Sequence, residues 1–334
     1  MNRRHVVALL IFSLLVLPFL SLAASPVTAQ DAPDSIRVDY AYYNPSSLVL
    51  RRFGWLEEEF AADGIGVEWV LSAGSNKANE YLRSEAVDFG STAGAAALLA
   101  RANGSPIETV YIYSKPEWTA LVVAADSPIT TVAELAGKTI AATKGTDPYF
   151  FLLRSLREAG LSEADVEIVN LQHGDGRIAL ERGQVDAWAG LDPHMAASEL
   201  DAGSKLIYRN IDFNTYGFLN ARTEFVEQYP EYTETVIAAY ERARAWILEN
   251  PDEAAQILAE EASISLEVAE RELFERTVLE ISPVPGDEHA EVLRAVIPIL
   301  VDEDQVRPDT DVEAVIGELL SPEIAQAVVD AAGE

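Results

Sequence analysis

Four short stretches carry residue types able to hold a small ligand: Ala73-Gly74-Ser75-Asn76, Gly90-Ser91-Thr92, Lys144-Gly145-Thr146 and Gly174-Asp175-Gly176. Each stands where an apolar β-like run gives way to a helix-like period. The first backbone N–H groups of a helix have no partner inside it, and the helix dipole adds about half a positive charge there. A helix start can therefore hold an anion without any full positive charge. Ser, Thr and Asp are also good N-caps, so one such junction is explained by capping alone. Four in one chain, two in each half of the α/β region, suggest a shared site, with capping an equal alternative.

The third junction is the fullest. TIAAT feeds a Lys-Gly-Thr-Asp-Pro turn, and a helix follows with Tyr149, Leu153 and Leu156 on one face. Lys144 is one of only five lysines in the chain. Its alternative is a surface lysine ending a strand. Asp147 reads as the N-cap, with Pro148 preset at the first helical position. Aromatics add a second signal: Tyr42 and Tyr43 end the first strand, Trp118 lies between two strands, and Trp188 follows Asp186. Core is the usual place for a strand aromatic, but strand-end positions move Tyr43, Trp118 and Trp188 toward ligand contact.

Signs of catalysis are thin. The histidines His173, His194 and His289 show no HExxH or other metal-ligand spacing. There is no GxSxG elbow and no P-loop. GDGRIA, residues 174–179, fits a loose dinucleotide fingerprint, but Asp175 would put a carboxylate where a pyrophosphate lies; a helix-capping role for Asp175 is the better reading. Glu57-Glu58-Glu59 is a solvated helix face. With no cysteine at all, disulfides, iron–sulfur clusters and thiol nucleophiles are excluded. No cofactor and no metal site is expected.

The elements that must position these junctions alternate along the chain. IRVDYAY precedes SSLVLRRFGWLEEEFAADG, read as one helix with Val49, Phe53, Leu56 and Phe60 on a face, closed by Gly64 as a left-handed cap. GVEWVLS, NKANEYLRS, VDFGST and GAAALLARA follow. ETVYIYS and ALVVAAD are strand-like, and the pattern restarts through TIAATK, VEIVNLQ, VDAWAG, a helix from Pro193 to Ala202, KLIYRN and YGFLNAR. Such alternation argues for α/β units with parallel strands. Beyond Thr223 the chain reads as helices, with one stripe of Val236, Tyr240, Ala243 and Ile247 and another of Val292, Val296 and Ile299. Open α/β sheets bind ligands at the carboxyl ends of their strands, so two units facing each other would enclose a cleft.

The 334 residues are 49% hydrophobic, ample for packed cores. At the N-terminus, MNRRH, an apolar run and SPVTAQDA read as a signal segment cleaved near Ala29, leaving an exported protein without a lipid-anchor cysteine. A retained membrane anchor is the alternative. Twenty-four basic residues against 55 acidic give a net charge of −31, which repels nucleic acid and anionic lipid. An acid-rich, lysine-poor surface also suits high salt.

SAGSNKANEYLRSEAVDFGSTAGAAALLA, VVAADSPITTVAELAGKTIAATKGT, LLRSLREAGL and GQVDAWAGLDPH occur in order. Together they closely resemble the periplasmic substrate-binding proteins of ABC importers for aliphatic sulfonates and taurine, and also relatives that bind nitrate or thiamine precursors. The resemblance runs from about Ser35 to Arg222 and more loosely through the tail. It implies an α/β, two-lobe type II periplasmic-binding-protein fold with a ligand cleft between lobes and a helical C-terminal tail. Lobe I would comprise 35–120 and 218–334, lobe II 121–217, after a signal of 1–29.

The resemblance also implies ligand contacts at Ser75, Asn76, Ser91, Thr92, Lys144, Gly145 and Thr146, with Trp188 and Asp192 toward the hinge; Tyr43 and Asn44 of the first loop, Trp118 and Asp147 complete the candidate set. Partners would be a small organosulfonate and a membrane ABC permease, the protein acting as a monomer. Thr146-Asp147-Pro148 replaces the serines usual in sulfonate binders, Leu191 and His194 replace aromatics, and YYNPSS lacks the usual glutamine. Asp147 facing the cleft would favour a solute with both an anion and an ammonium, as in taurine. A binder of a cationic or heteroaromatic nutrient, using Asp147 and Asp192 as counter-charges, is the first rival, and a secreted hydrolase the second.

Overall fold

The computed structural model describes residues 32–332; the signal segment expected at 1–29 lies outside the described residues. Two sheets form the frame. The first is built from β1 (Ser35–Tyr40), β2 (Gly66–Leu71), β3 (Phe89–Ala93), β4 (Ile107–Pro116), β10 (Gly217–Arg222) and β11 (Thr277–Val278), in the order β11-β4-β10-β3-β1-β2. The second holds β5 (Leu121–Val123), β6 (Thr139–Ala142), β7 (Glu167–Asn170), β8 (Ala187–Ala189) and β9 (Lys205–Tyr208), in the order β7-β6-β8-β5-β9.

Within each sheet the strand–helix–strand units are parallel: β1 lies on β2 from Ser35↔Gly66 to Tyr40↔Leu71, and β6 on β7 from Thr139↔Glu167 to Ala142↔Asn170. The returning strand of each is antiparallel, β10 between β3 and β4, and β5 between β8 and β9. YGFLNAR, which closes the second unit in sequence, thus belongs to the first sheet in space. The chain passes between the sheets twice, at 117–120 and 209–216. This is the two-lobe fold expected, with C-terminal helices packed on the first lobe and, at Val268, also against Ala196 and Ala197 of the second.

One helix expectation is corrected. SSLVLRRFGWLEEEF forms two helices, α1 (Pro45–Phe53) and α2 (Trp55–Phe60), broken at Gly54, whose φ of 65° is left-handed. Val49, Leu56 and Phe60 are buried as the apolar pattern requires, but Phe53 is 40% exposed. Gly54 accepts a conformation that costs an L-residue roughly 1–2 kcal/mol, so the chain turns while the apolar spacing continues. Gly64 does take the left-handed cap conformation, with φ 72°.

The other helices that matter to the cleft are α3 (Ser75–Arg83), α4 (Gly94–Ala102), α5 (Asp147–Glu158), α6 (His173–Glu181) and α7 (His194–Ala202). In the tail, α8 (Thr223–Gln228) leads to α9 (Pro230–Glu249), whose Val236, Tyr240, Ala243 and Ile247 stripe is fully buried against α1 and the first sheet. α10 (Pro251–Ala262) and α11 (Leu266–Glu270) bring the chain back to Arg276 beside the first crossing. The second stripe is split between α12 (Asp287–Arg294) and α13 (Ile297–Asp302), with Val296 and Ile299 buried.

Candidate functional site

Helices that follow parallel strands begin at the carboxyl ends of those strands. α1, α3 and α4 therefore start on the cleft side of the first lobe, and α5, α6 and α7 on that of the second. α4 is satisfied by the second crossing: Gly94 N–H donates to Tyr216 O and Ala95 N–H to Thr215 Oγ1, both at 3.1 Å. The first N–H groups of α3, α5 and α6, such as those of Asn76, Asp147 and Gly174, have no such acceptor among the described residues.

The lobes meet across this space. A β-carbon built on Gly74 would stand 3.0 Å from His173 Nε2 of the opposite lobe and 2.9 Å from Asn76 Oδ1. One built on Gly145 of the second lobe would touch Asn76 Cβ at 3.9 Å. Gly74 thus leaves room for the two lobes to close. At this seam Asn76 Oδ1, His173 Nε2 and Gln172 Oε1 are buried without a hydrogen-bond partner among the described residues, as is Ser46 Oγ in the first turn of α1. A buried polar atom left alone costs about 1–3 kcal/mol, so a cluster of them is a place where water or a solute would be held.

His173 has a defined electronic character. Thr143 Oγ1 donates to Leu171 O at 2.6 Å, so its oxygen is left to accept from His173 Nδ1, 3.2 Å away. The neutral ring then carries its lone pair on Nε2, facing the seam. Burial, helped by neighbouring His194, pushes His173 down to about 3, and burial pushes His194 down to about 4. Both are neutral at physiological pH.

Of the sequence-derived candidates, Ser75, Asn76 and Gly145 retain free capacity at the cleft. Ser75 Oγ accepts from Ala93 N at 2.9 Å, so its own hydrogen remains to be donated. Several others are spent within the fold. Ser91 Oγ donates to Asp39 Oδ1 at 2.8 Å and accepts from Asn44 Nδ2 at 2.8 Å. Asn44 is the N-cap of α1, its Oδ1 accepting from Ser47 N. Thr92 Oγ1 donates to Ala93 O and accepts from Asn220 Nδ2. Tyr43 donates to Ser91 O at 3.0 Å, and its ring meets Trp118 edge-on at 5.9 Å. This network encloses Asp39, a fully buried carboxylate that burial pushes up to about 6.

The third junction is rearranged relative to expectation. Lys144 turns its ammonium to Glu163 at 3.1 Å and over the Tyr149 ring, on the protein surface. Thr146, not Asp147, is the N-cap of α5, and its hydroxyl donates to Thr143 O at 2.7 Å. Asp147 is neither a cap nor a free cleft carboxylate. It accepts from Thr215 N and Oγ1 at 2.7 Å each and from Trp118 Nε1 at 3.0 Å. The residue whose charge was to discriminate solutes is bound to both crossings of the chain.

Two hinge-side candidates are also structural. Trp188 is fully buried in the second lobe among Val122, Ala141 and Met195, under Gly176 of α6, where a β-carbon would lie 2.7 Å from its Nε1. Asp192 accepts from Ala196 N at 2.8 Å and pairs with Arg276 Nη1 at 3.1 Å; Arg276, 4% exposed, also pairs with Glu199. Burial raises Asp192 to about 6 and holds nearby Glu272 well above the usual carboxylate range. At the fourth junction the helix begins at His173 with Gln172 as its cap, so Asp175 lies exposed in the first turn instead of capping it.

Sequence reading passed over Ser46, Gln172 and His173. The only signal for the last two was their place in LQHGDG, at the end of β7. Among the described residues no cluster of three or more His, Asp or Glu side chains is arranged to hold a metal ion.

Comparison with known proteins agrees with this architecture. Residues 56–254, more than half of the chain, match the family described as NMT1/THI5 like. A protein of Escherichia coli strain K12, provisionally named an aliphatic sulfonates-binding protein, is 29% identical over 279 residues, 83% of this chain and 87% of that protein. Among solved structures, the periplasmic aliphatic sulphonate binding protein SsuA of Escherichia coli has a TM-score of 0.73 at 26% identity, covering 87% of this chain and 93% of that one. The alkanesulfonate-binding protein SsuA of Xanthomonas axonopodis pv. citri, bound to MOPS, has a TM-score of 0.77 at 24% identity, covering 85% and 98%.

Proposed function

Because the chain belongs to the NMT1/THI5-like family, we propose that it is the extracytoplasmic solute-binding component of an ABC importer, closing its two lobes on a small alkanesulfonate or taurine-like anion. The observation that carries this is the seam where Gly74 admits His173 and where the first N–H groups of α3, α5 and α6 have no acceptor among the described residues. Beside them stand the acceptor atoms Asn76 Oδ1, Gln172 Oε1 and His173 Nε2, which suit an amine. The solute's oxygens take the first N–H groups of α3, α5 and α6 and the Ser75 hydroxyl. No arginine or lysine is needed, since each helix start contributes about half a positive charge. His173 Nε2 accepts a hydrogen bond from the solute, which favours one carrying an amine, as taurine does.

The mechanism is reversible capture without chemistry. Solute bridges donors from both lobes, so it binds the closed form better than the open one and shifts the population toward it. The closed form is then what a membrane permease reads. Export from the cytoplasm, by way of the segment before Ala29, is part of this reading. Among the described residues no helix is long and apolar enough to cross a membrane.

Thermal unfolding against taurine, simple alkanesulfonates, nitrate and thiamine precursors tests the proposal. A solute at a hundred times its dissociation constant adds about 2.7 kcal/mol. Stabilisation by sulfonates supports it, and preference for taurine supports the role given to His173. Stabilisation only by heteroaromatic cations would keep the importer role and overturn the solute class; turnover of any solute would favour a hydrolase.

A further inference from the structure

Beside the seam lies a groove of about 420 Å³ between α3 and α4, whose lining includes Asn76, Asn79, Glu80, Arg83, Ser105 and, from the other lobe, Gly145. Asn76 and Gly145 also border the solute space, so the two are continuous. The groove follows α3 away from the cleft. From Asn76 to Arg83 is seven residues, a rise of about 10 Å.

Two features distinguish it from an ordinary surface furrow. Along its wall, Asn79 Oδ1 and Ser105 Oγ are buried without a hydrogen-bond partner among the described residues, and Ser105 is only 4% exposed. Asn79 Nδ2 donates to Ala96 O at 2.9 Å, which fixes its carboxamide in place. At the far end Arg83 has no ion-pair partner among the described residues, although acids outnumber bases 55 to 24 in the chain. Glu80 also lines the groove, and its carboxylate is paired with Lys77 at 2.6 Å. Ala96, Leu99 and Ala100 give the groove an apolar side.

Resting on the sulfonate reading of the cleft, we infer that this groove is a subsite for the far end of an elongated solute. Its occupant is an alkanesulfonate whose distal end bears a carboxylate or other anionic group. The methylene chain lies against Ala96, Leu99 and Ala100, and the distal group reaches Ser105 and Arg83. The volume lies within the range of about 300–1,000 Å³ usual for small-molecule sites.

Isothermal titration of the full mature protein with ethanesulfonate, octanesulfonate and 8-sulfooctanoate tests this. Arg83 is exposed, so Arg83→Gln leaves the fold intact; Ala100→Trp fills the groove. 8-Sulfooctanoate is expected to bind the wild type about three- to fivefold more tightly than octanesulfonate, the upper end of what one exposed ion pair contributes. Arg83→Gln should abolish that advantage, Ala100→Trp should weaken both long solutes, and neither should change ethanesulfonate affinity. If ethanesulfonate binds while the long solutes do not, or if both variants leave 8-sulfooctanoate unaffected, the subsite is overturned and the cleft reading stands. Equal weakening of all three solutes by either variant also overturns it. If none of the three binds the wild type, the cleft reading falls and the subsite with it.

Discussion

Trp118 Nε1 donates to Asp147 Oδ2 at 3.0 Å, tying the first crossing between the lobes to the first residue of α5. The same carboxylate takes two bonds from Thr215 in the second crossing. Asp147→Ala leaves three buried donors without an acceptor. The expected loss is about 3 kcal/mol or more of unfolding free energy, at one to three per stranded group. Urea unfolding checks it; a loss below half that size would show that water replaces the carboxylate.

The buried Asp39 sets a pH dependence of definite sign. Its ordinary value of 3.8 is pushed up to about 6 by burial, which outweighs the bonds from Ser91. Between those values the folded chain holds a proton that the unfolded chain has released. Stability therefore falls as pH rises from about 4 to about 6, by about 3 kcal/mol from this group. Asp39→Asn should flatten that part of the profile, measured as the wild-type-minus-variant difference in unfolding free energy at the two ends.

Arg276 sits between Asp192 and Glu199, both of the second lobe, while it belongs to the segment after α11 that packs on the first. Arg276→Met strands Asp192 and Glu199 without a counter-charge, and breaking such a buried pair costs roughly 3–5 kcal/mol. The double variant Arg276→Met/Asp192→Leu should be less destabilised than Arg276→Met alone. Denaturant midpoints for the single and double variants decide the matter.

Affinity should separate a residue that the sequence offered as a ligand contact, Lys144, from one that it did not, His173. His173→Phe removes the acceptor at the seam and should weaken taurine binding by about tenfold, the worth of one hydrogen bond to a charged group. Lys144→Gln, by contrast, breaks a surface pair with Glu163, and exposed pairs of this kind contribute about 0–1 kcal/mol. Its taurine affinity should stay within about twofold of wild type, since such pairs lie outside the cleft's own contacts. Titration calorimetry on both variants checks the contrast.

The alternation of apolar runs made the two α/β units legible, and the resemblance of SAGSNKANEY and DSPITTVAELAGK placed the cleft between them. Within the site, sequence could rank residues only by type. Nothing near Lys144 says that Glu163, on the far side of α5, takes its charge, because that contact forms only when the chain folds back. Asp147 beside Pro148 has the local signature of a cap, yet Thr215, 68 residues on, claims it. His173 was invisible for the opposite reason: a lone histidine matches no motif, and its meaning lies in the partner it lacks. The break at Gly54 escaped notice because the apolar period runs on through it.

A receptor that grips with peptide N–H groups instead of ammonium or guanidinium meets its cargo differently from one that beckons at long range. At a net charge of −31, the chain as a whole would repel the anion proposed for its cleft. Dissolved salt shortens the reach of that repulsion from about 10 Å at 0.1 M to about 3 Å at 1 M, while contacts inside the closed seam lie beyond the reach of counter-ions. For the proposed solute, encounter should therefore quicken as the medium becomes more saline, so that capture improves in brine, where attraction between opposite charges would fade.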